Sequence, residues 1–226
     1  AIKTAEKLAA LQPDTVRIYP TIVLPNTFLA QEFQAGRYCP QNLEEAVDLC
    51  AQLLSFFAEK GISVVGFDYS EKMIELAKKR RKRNMDKIEF CVADATNEIS
   101  LMALKRNRMF TKAVSNMAVM DITNIKPLFT SVYELIEDNG VFVFATQHPC
   151  FVTLTDKYMT PHSYYDIAIE GQPQKQCYYH RSLQDIFNMC FDTGFVIDGF
   201  YEECYFNKEI PDIIIVRAKK VSGACH

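Results

Sequence analysis

From about residue 62 onward, short apolar runs alternate with longer stretches whose apolar residues recur every three or four positions. A short apolar run bounded by turn residues reads as a buried strand, and a 3.6-residue period reads as an amphipathic helix. Strands are expected near 62–68, 87–93, 112–117, 140–146, 195–205 and 212–219. Helices are expected near 71–83, 97–106, 125–138 and 182–193. Residues 15–24 add a seventh strand, interrupted by Pro20, and a short turn at 207–211 joins the last two. Alternating β and α units closed by a terminal hairpin imply an α/β fold: a doubly wound, seven-stranded, mostly parallel sheet with one antiparallel strand.

The part before this alternation is less regular. Residues 2–11 read as an amphipathic helix, and 25–42 as a long connection carrying two prolines and Gly36. Connections of that length inside a compact domain tend to be functional or anomalous. A helix over 43–60 follows, with Asn42 as its cap, Glu44 and Glu45 in its first turn and Gly61 at its end.

With 226 residues, 49% of them hydrophobic, the chain can bury one sizeable core. A net charge of −3 argues against a dedicated nucleic-acid or membrane-surface binder. The one basic run, Lys78–Arg83, lacks interleaved aromatics and reads as a solvated helix face. An RNA-directed role for it stands as a third alternative. No apolar run reaches the roughly 18 residues of a membrane span, and no secretory signal opens the sequence. The eight cysteines are irregularly spaced without a CxxC, so buried free thiols in a reducing cytoplasm are expected. Cys225–His226 reads as a chain end rather than a metal site.

In open α/β sheets, ligands bind beyond the carboxyl ends of the strands, so the strand-terminal residues carry the chemistry. Val64–Asp68 ends in an acid followed by Ser70, a helix cap. Asp68 is placed either to accept from nucleotide ribose hydroxyls or to make a structural contact with the helix start. Cys91–Asp94 ends in another acid, suited to an adenine amino group beside the Ala95 amide, or to a cap. Asn116 and Met117 close the next strand; the methionine packs on a ligand or belongs to the core. His148, after Thr146-Gln147, is a base, a substrate-orienting group or a satisfied structural histidine. The tyrosine-rich insert 151–181 bears His162, Glu170, Tyr178, Tyr179, His180 and Arg181. It reads equally as an aromatic lid over a small substrate or as a surface excursion.

Several segments together carry a resemblance. VVGFDYSEKMIELAKKR, IEFCVADATN, AVSNMAVMDI, GVFVFATQHPCF and YYHRSLQDIFNMCFDTGFVIDGFYEE make residues 61–220 similar to class I S-adenosylmethionine-dependent methyltransferases of small-molecule type, which have a Rossmann-like sheet. The resemblance implies S-adenosylmethionine as cofactor, with Asp68 on its ribose, Ser70 and Met73 shaping its pocket, and Asp94 and Ala95 at adenine. Asn116 and Met117 would line the transfer site, and His148, Tyr178, His180 and Arg181 would lie on the acceptor side. The implied reaction is direct displacement at the sulfonium onto a small-molecule nucleophile, without a metal.

Residues 1–60 differ. TVRIYPTIVLPNTFLAQEFQAGRYCPQNLEEAVDLC resembles a late barrel fragment of elongator-type radical-SAM proteins, although the family's CxxxxCxxC motif does not occur, which excludes radical chemistry. Counting back from Glu59-Lys60-Gly61, the glycine-rich cofactor turn of a methyltransferase falls near 45–51. The residues there are EAVDLCA, and no glycine occurs between Gly36 and Gly61. The chain is therefore expected to be a single α/β domain in which a barrel-derived β–loop–α unit is grafted onto a methyltransferase-like segment. Its alternative is a folded chimera that neither binds the cofactor nor catalyses.

Overall fold

In a computed structural model of the chain, residues 63–80, 86–152, 155–166, 175–204 and 209–222 are described. The strand expected at 15–24, the helices at 2–11 and 43–60, and the glycine-poor stretch at 45–51 lie outside the described residues. The chain divides into two compact units, Ala1–Ala93 and Asp94–His226.

The described part of the first unit is a β–α–β unit: β1 (Val64–Asp68), α1 (Glu71–Arg80) and β2 (Ile88–Val92). β1 and β2 pair in parallel with Val64 opposite Ile88 and Asp68 opposite Val92. The connecting helix buries Ile74, while Ile88 and Ala93 are the buried apolar residues of the strand side.

In the second unit, α2 (Glu98–Met102) and β3 (Phe110–Asn116) precede a 3-10 turn (Val119–Asp121) and α3 (Lys126–Leu135). Then come β4 (Ile136–Gln147), a hairpin of β5 (His162–Asp166) and β6 (Gln176–His180), α4 (Leu183–Thr193), β7 (Phe195–Glu203) and β8 (Ile213–Lys220). Four strands form a mixed sheet in the order β3-β4-β8-β7, with β3 parallel to β4 and the other pairs antiparallel. β4 lies inside this sheet, and its apolar run from Val141 to Ala145 is buried throughout. A strand covered on both faces reads as continuous hydrophobic sequence rather than alternation. Phe129 of α3 meets Phe142 and Phe144 of β4 edge-on, with ring centroids 5.3 and 5.1 Å away.

Besides α2, which ends at Met102 rather than near 106, two features differ from the sequence expectation. The described residues hold eight strands in three sheets, because β5 and β6 form a separate antiparallel pair. The insert expected as lid or excursion thus contains a hairpin, whose five-residue aromatic and polar strands carry little apolar signal. The helix expected over 125–138 also stops at Leu135 and runs directly into β4. Lys220 Nζ of β8 donates to the carbonyls of Tyr133 and Ile136 at 2.8 and 3.1 Å, occupying acceptors at the helix end. Asn139 then takes a left-handed conformation (φ 64°), and Gly140 follows where a Cβ would stand 2.7 Å from the Glu137 carbonyl oxygen. A helix cannot continue through that backbone.

α4 begins and ends where expected. Ser182 accepts from the Asp185 amide while Asp185 accepts from the Ser182 amide, a reciprocal capping box. Gly194 ends it at φ 98°, in the left-handed region that glycine enters without steric cost.

Candidate functional site

The sequence-selected residues fall into four local arrangements. Asp68 ends β1, exposed, and its Oδ1 accepts from the Ser70 amide at 2.7 Å. Ser70 Oγ in turn accepts from the Met73 amide at 3.3 Å, at the start of α1. The three residues therefore form one hydrogen-bonded turn, with the second carboxylate oxygen of Asp68 outside these bonds. Met73 is also exposed.

Asp94 and Ala95 follow β2, both half-buried. Asp94 Oδ1 accepts from both the amide and the hydroxyl of Thr96, at 2.8 and 2.7 Å. These bonds hold its carboxyl below the usual carboxylate range, the Thr96 amide contributing most. Its own amide donates to Ser100 Oγ at 3.0 Å, tying the turn to α2.

Asn116, exposed, ends β3, and Met117 follows at φ 49°. A left-handed methionine is strained relative to glycine. It is held by donation from its amide to the Ala145 carbonyl at 2.9 Å and by packing against Val141, Val143, Ala145 and Ile215. The turn re-aims the chain at the carboxyl end of the strand.

The remaining candidates, His148, Tyr178, His180 and Arg181, separate. His148 is fully buried. Its Nδ1 accepts from the Cys150 amide at 3.2 Å, so Nε2 carries the proton and donates to Glu202 Oε1 at 2.8 Å. Both ring nitrogens are engaged, the geometry of a structural histidine linking β4 to β7. Arg181 is likewise engaged. Its guanidinium donates to the carbonyls of Val119, Tyr179, Ile122 and Thr123 at 2.5–3.4 Å, clasping the turn that follows β3. Burial lowers its pKa from the ordinary value, and Asp185 opposes that shift.

Tyr178 and His180 lie on β6, both buried. The Tyr178 ring stacks at 5.5 Å on Tyr164, its partner across the hairpin. Burial, followed by the charge of Asp121, pushes its phenol up to about 12. His180 and Arg181 line a narrow cavity of about 20 Å³ together with Thr146, Gln147 and Tyr164. A larger depression of about 540 Å³ is lined by Pro149, Cys150, Thr155, Asp156 and Tyr158.

Residues not singled out in the sequence join this region. Tyr164 donates to Gln147 Oε1 at 2.8 Å, and Gln176 donates to Asp121 Oδ1 at 2.9 Å. Desolvation raises the Asp121 pKa against the lowering effect of Gln176. The strand-terminal position of Gln147 was the available signal. Asp121 and Tyr164 required knowledge of the hairpin. The five described cysteines, Cys91, Cys150, Cys177, Cys190 and Cys204, are free thiols, and only Cys190 is fully buried; Cys39, Cys50 and Cys225 lie outside the described residues.

With this geometry in place, the class of the fold is clear from comparison. It is similar to a protein assigned as an S-adenosylmethionine-dependent methyltransferase from Listeria monocytogenes, at 19% identity over 74% of this chain and 84% of that one, with a TM-score of 0.58. A second such methyltransferase, from Methanosarcina mazei, matches at 16% identity over 74% and 85% of the two chains, TM-score 0.54. A third is the 1,6-didemethyltoxoflavin-N1-methyltransferase of Burkholderia thailandensis, solved with 1,6-didemethyltoxoflavin and S-adenosylhomocysteine bound. It matches at 14% identity over 76% and 67% of the chains, TM-score 0.50. At these identities the likeness establishes the fold.

The model of the Radical_SAM C-terminal domain family matches residues 13–88. No curated protein matches the chain significantly. Both resemblances expected from the sequence are thus found. The family match continues past residue 60 through β1 and α1 and ends at Ile88, the first residue of β2; parallel β–α units of this kind occur in both barrels and doubly wound sheets. Among the described residues, no helix is long and apolar enough to cross a membrane.

Proposed function

We propose that this chain is an S-adenosylmethionine-dependent methyltransferase-like protein acting on a small molecule. The observation that carries the reading is Asp68: an exposed carboxylate at the carboxyl end of a parallel strand, fixed by the Ser70 turn, in a chain that shares the methyltransferase fold. Ligands of open α/β sheets bind at that end of the strands, and an acid there accepts from ribose hydroxyls. The same reading takes 1–226 as one α/β domain with the doubly wound, seven-stranded sheet of that fold. Residues 1–60 are then a barrel-derived segment and 61–220 the methyltransferase-like one.

When bound, the cofactor supplies a methyl group activated on a sulfonium. The donor types suit such a ligand. Asp68 keeps one oxygen outside the Ser70 turn for a sugar hydroxyl, with Ser70 and Met73 beside it. Asp94, held ionised by Thr96, is an acceptor for an exocyclic amine, with Ala95 next to it. Asn116 and the left-handed Met117 border the transfer side. On the acceptor side, Tyr178 and His180 contact the small molecule or its pocket. His148 and Arg181, whose polar atoms are engaged with protein groups, act by positioning. Positioning and exclusion of water are the main aids that a displacement of this kind needs.

A second reading is a folded chimera that neither binds the cofactor nor catalyses. It is favoured by the absence of glycine between Gly36 and Gly61 together with the radical-SAM match over 13–88. Isothermal titration with S-adenosylmethionine and S-adenosylhomocysteine separates the two. Micromolar binding is expected. Asp68→Asn retains an acceptor for the Ser70 amide but loses the carboxylate, and should weaken binding about 10- to 100-fold. No heat from a protein that still unfolds cooperatively establishes the chimera instead.

A further inference from the structure

Asp121 closes the 3-10 turn after β3, and its Oδ1 accepts from Gln176 Nε2 at 2.9 Å. It forms no ion pair among the described residues. Arg181, the cation bound to that turn, directs its two terminal nitrogens to backbone carbonyls instead. Asp121 remains reachable from solvent, yet the protein around its carboxyl desolvates it enough to raise its pKa. A desolvated carboxylate is ordinarily paired with a cation, and one that is not marks a candidate ligand site.

The hairpin sets a second unsatisfied group beside it. Gln176 and Tyr178 are two residues apart on β6 and therefore share a face. Asp166 and Tyr164, their register partners on β5, lie on that face too. Gln176 reaches Asp121, so this is the face that the turn meets. Tyr178 is 3% exposed, and its ring stacks on Tyr164 at 5.5 Å. Its hydroxyl makes no hydrogen bond with the described residues. That oxygen is not sealed, because the fully buried polar side-chain atoms without a partner are Ser131 Oγ and His180 Nδ1. After burial, the Asp121 charge does most to raise the Tyr178 phenol, followed by Tyr164 and Asp166. The unpaired carboxylate and the unpartnered hydroxyl are thus neighbours.

We propose that Asp121 and Tyr178 form a site for a small organic ammonium, the amine of the methyl acceptor. The ammonium donates to the Asp121 carboxylate and to the Tyr178 hydroxyl oxygen, supplying the missing counter-charge and the missing partner together. Gln176 holds the carboxylate through Oδ1 and leaves Oδ2 for the ligand. Tyr164 fixes the phenol ring from across the hairpin. A divalent metal ion needs more hard ligands than this, and the described residues hold no group of three or more His, Cys, Asp or Glu able to bind one. An anion would meet the Asp121 carboxylate with Asp166 on the same face. The role as methyl acceptor rests on the methyltransferase reading above; the ammonium site does not.

The test titrates the ¹⁵N-labelled full chain with benzylammonium, benzyl alcohol and benzoate, and follows the side-chain amide of Gln176 by proton–nitrogen correlation. Benzylammonium should shift that resonance and bind at least about tenfold tighter than benzyl alcohol, while benzoate leaves it in place. Asp121→Asn keeps an acceptor for Gln176 and should weaken benzylammonium about tenfold or more, with benzyl alcohol unchanged. Tyr178→Phe keeps the stacked ring and should weaken benzylammonium about three- to tenfold. Should Asp121→Asn not fold, Tyr178→Phe decides alone. No shift with benzylammonium, equal affinity for benzyl alcohol, a response to benzoate, or undiminished benzylammonium affinity in a folded variant overturns the proposal. Each titration is repeated with S-adenosylhomocysteine, and binding of both supports the acceptor role. Benzylammonium binding without S-adenosylhomocysteine binding keeps the ammonium site and removes the methyltransferase reading together with the acceptor role. S-adenosylhomocysteine binding without benzylammonium binding removes the site and leaves that reading.

Discussion

β1 and β4 have similar compositions at their cores, Val64-Val65-Gly66-Phe67 against Val141-Phe142-Val143-Phe144, yet their surroundings differ. Every residue from Val141 to Thr146 is buried, between β3 and β8 in the sheet and beneath α3. No residue of β1 is fully buried, and Phe67 is 37% exposed. Among the described residues β1 pairs with β2 alone. Apolar composition thus marks a strand without determining how much of it the fold encloses. That depends on the number of layers that reach it.

The sharpest way to break this comparison is to truncate one side chain in each region. Phe129 is fully buried against two aromatic rings of β4, and Phe129→Ala should cost about 3–5 kcal/mol. Val65, half-buried in β1, should cost less than about 1.5 kcal/mol as Val65→Ala. Urea unfolding followed by circular dichroism measures both. Equal losses would mean that β1 is enclosed as fully as β4.

A second perturbation asks how firmly the turn after β3 is tied to the strand β6 of the same unit. Arg181, just after β6, donates to four backbone carbonyls, one in β6 and three in the 119–123 turn. Arg181→Ala leaves these acceptors to water or to nothing, at an expected cost of about 2 kcal/mol. Arg181→Lys should recover less than half of it, because one ammonium cannot reproduce the planar fork. Full rescue by lysine would reduce the contact to a point charge.

The same contrast explains which parts of the molecule were legible in the sequence. GVFVFAT announced β4 because a strand covered on both faces needs continuous apolar residues, and SLQDIFNMC announced α4 through its cap and period. The hairpin was not legible, since HSYYD and QCYYH are five-residue strands without a continuous apolar run, even though Gly171 and Pro173 lie between them. The end of α3 was hidden for another reason: its terminating lysine, Lys220, lies on β8. Strand-terminal acids stood out by position alone. The engagement of Arg181 and of His180 did not, because both depend on carbonyls distant in sequence. The family resemblance placed Arg181 on the acceptor side, whereas its guanidinium is bound to backbone carbonyls.

Tyr178 gives the smallest expected effect and tests the environment of the hairpin. Burial raises its phenol from about 10 to about 12, with the Asp121 charge the next contribution. The unfolded chain releases this proton near pH 10 while the folded chain retains it until about pH 12. Between those values the unfolded state binds fewer protons, so stability falls as pH rises; below pH 10 both states are protonated and the term vanishes. Tyr178→Phe removes the titrating group and should flatten that part of the alkaline slope, leaving the acid limb as it was. Chemical unfolding at pH 9, 10 and 11 measures the difference. If the slopes of wild type and variant coincide, the Tyr178 hydroxyl is hydrated in the folded protein, and the hairpin is as open to water as β1.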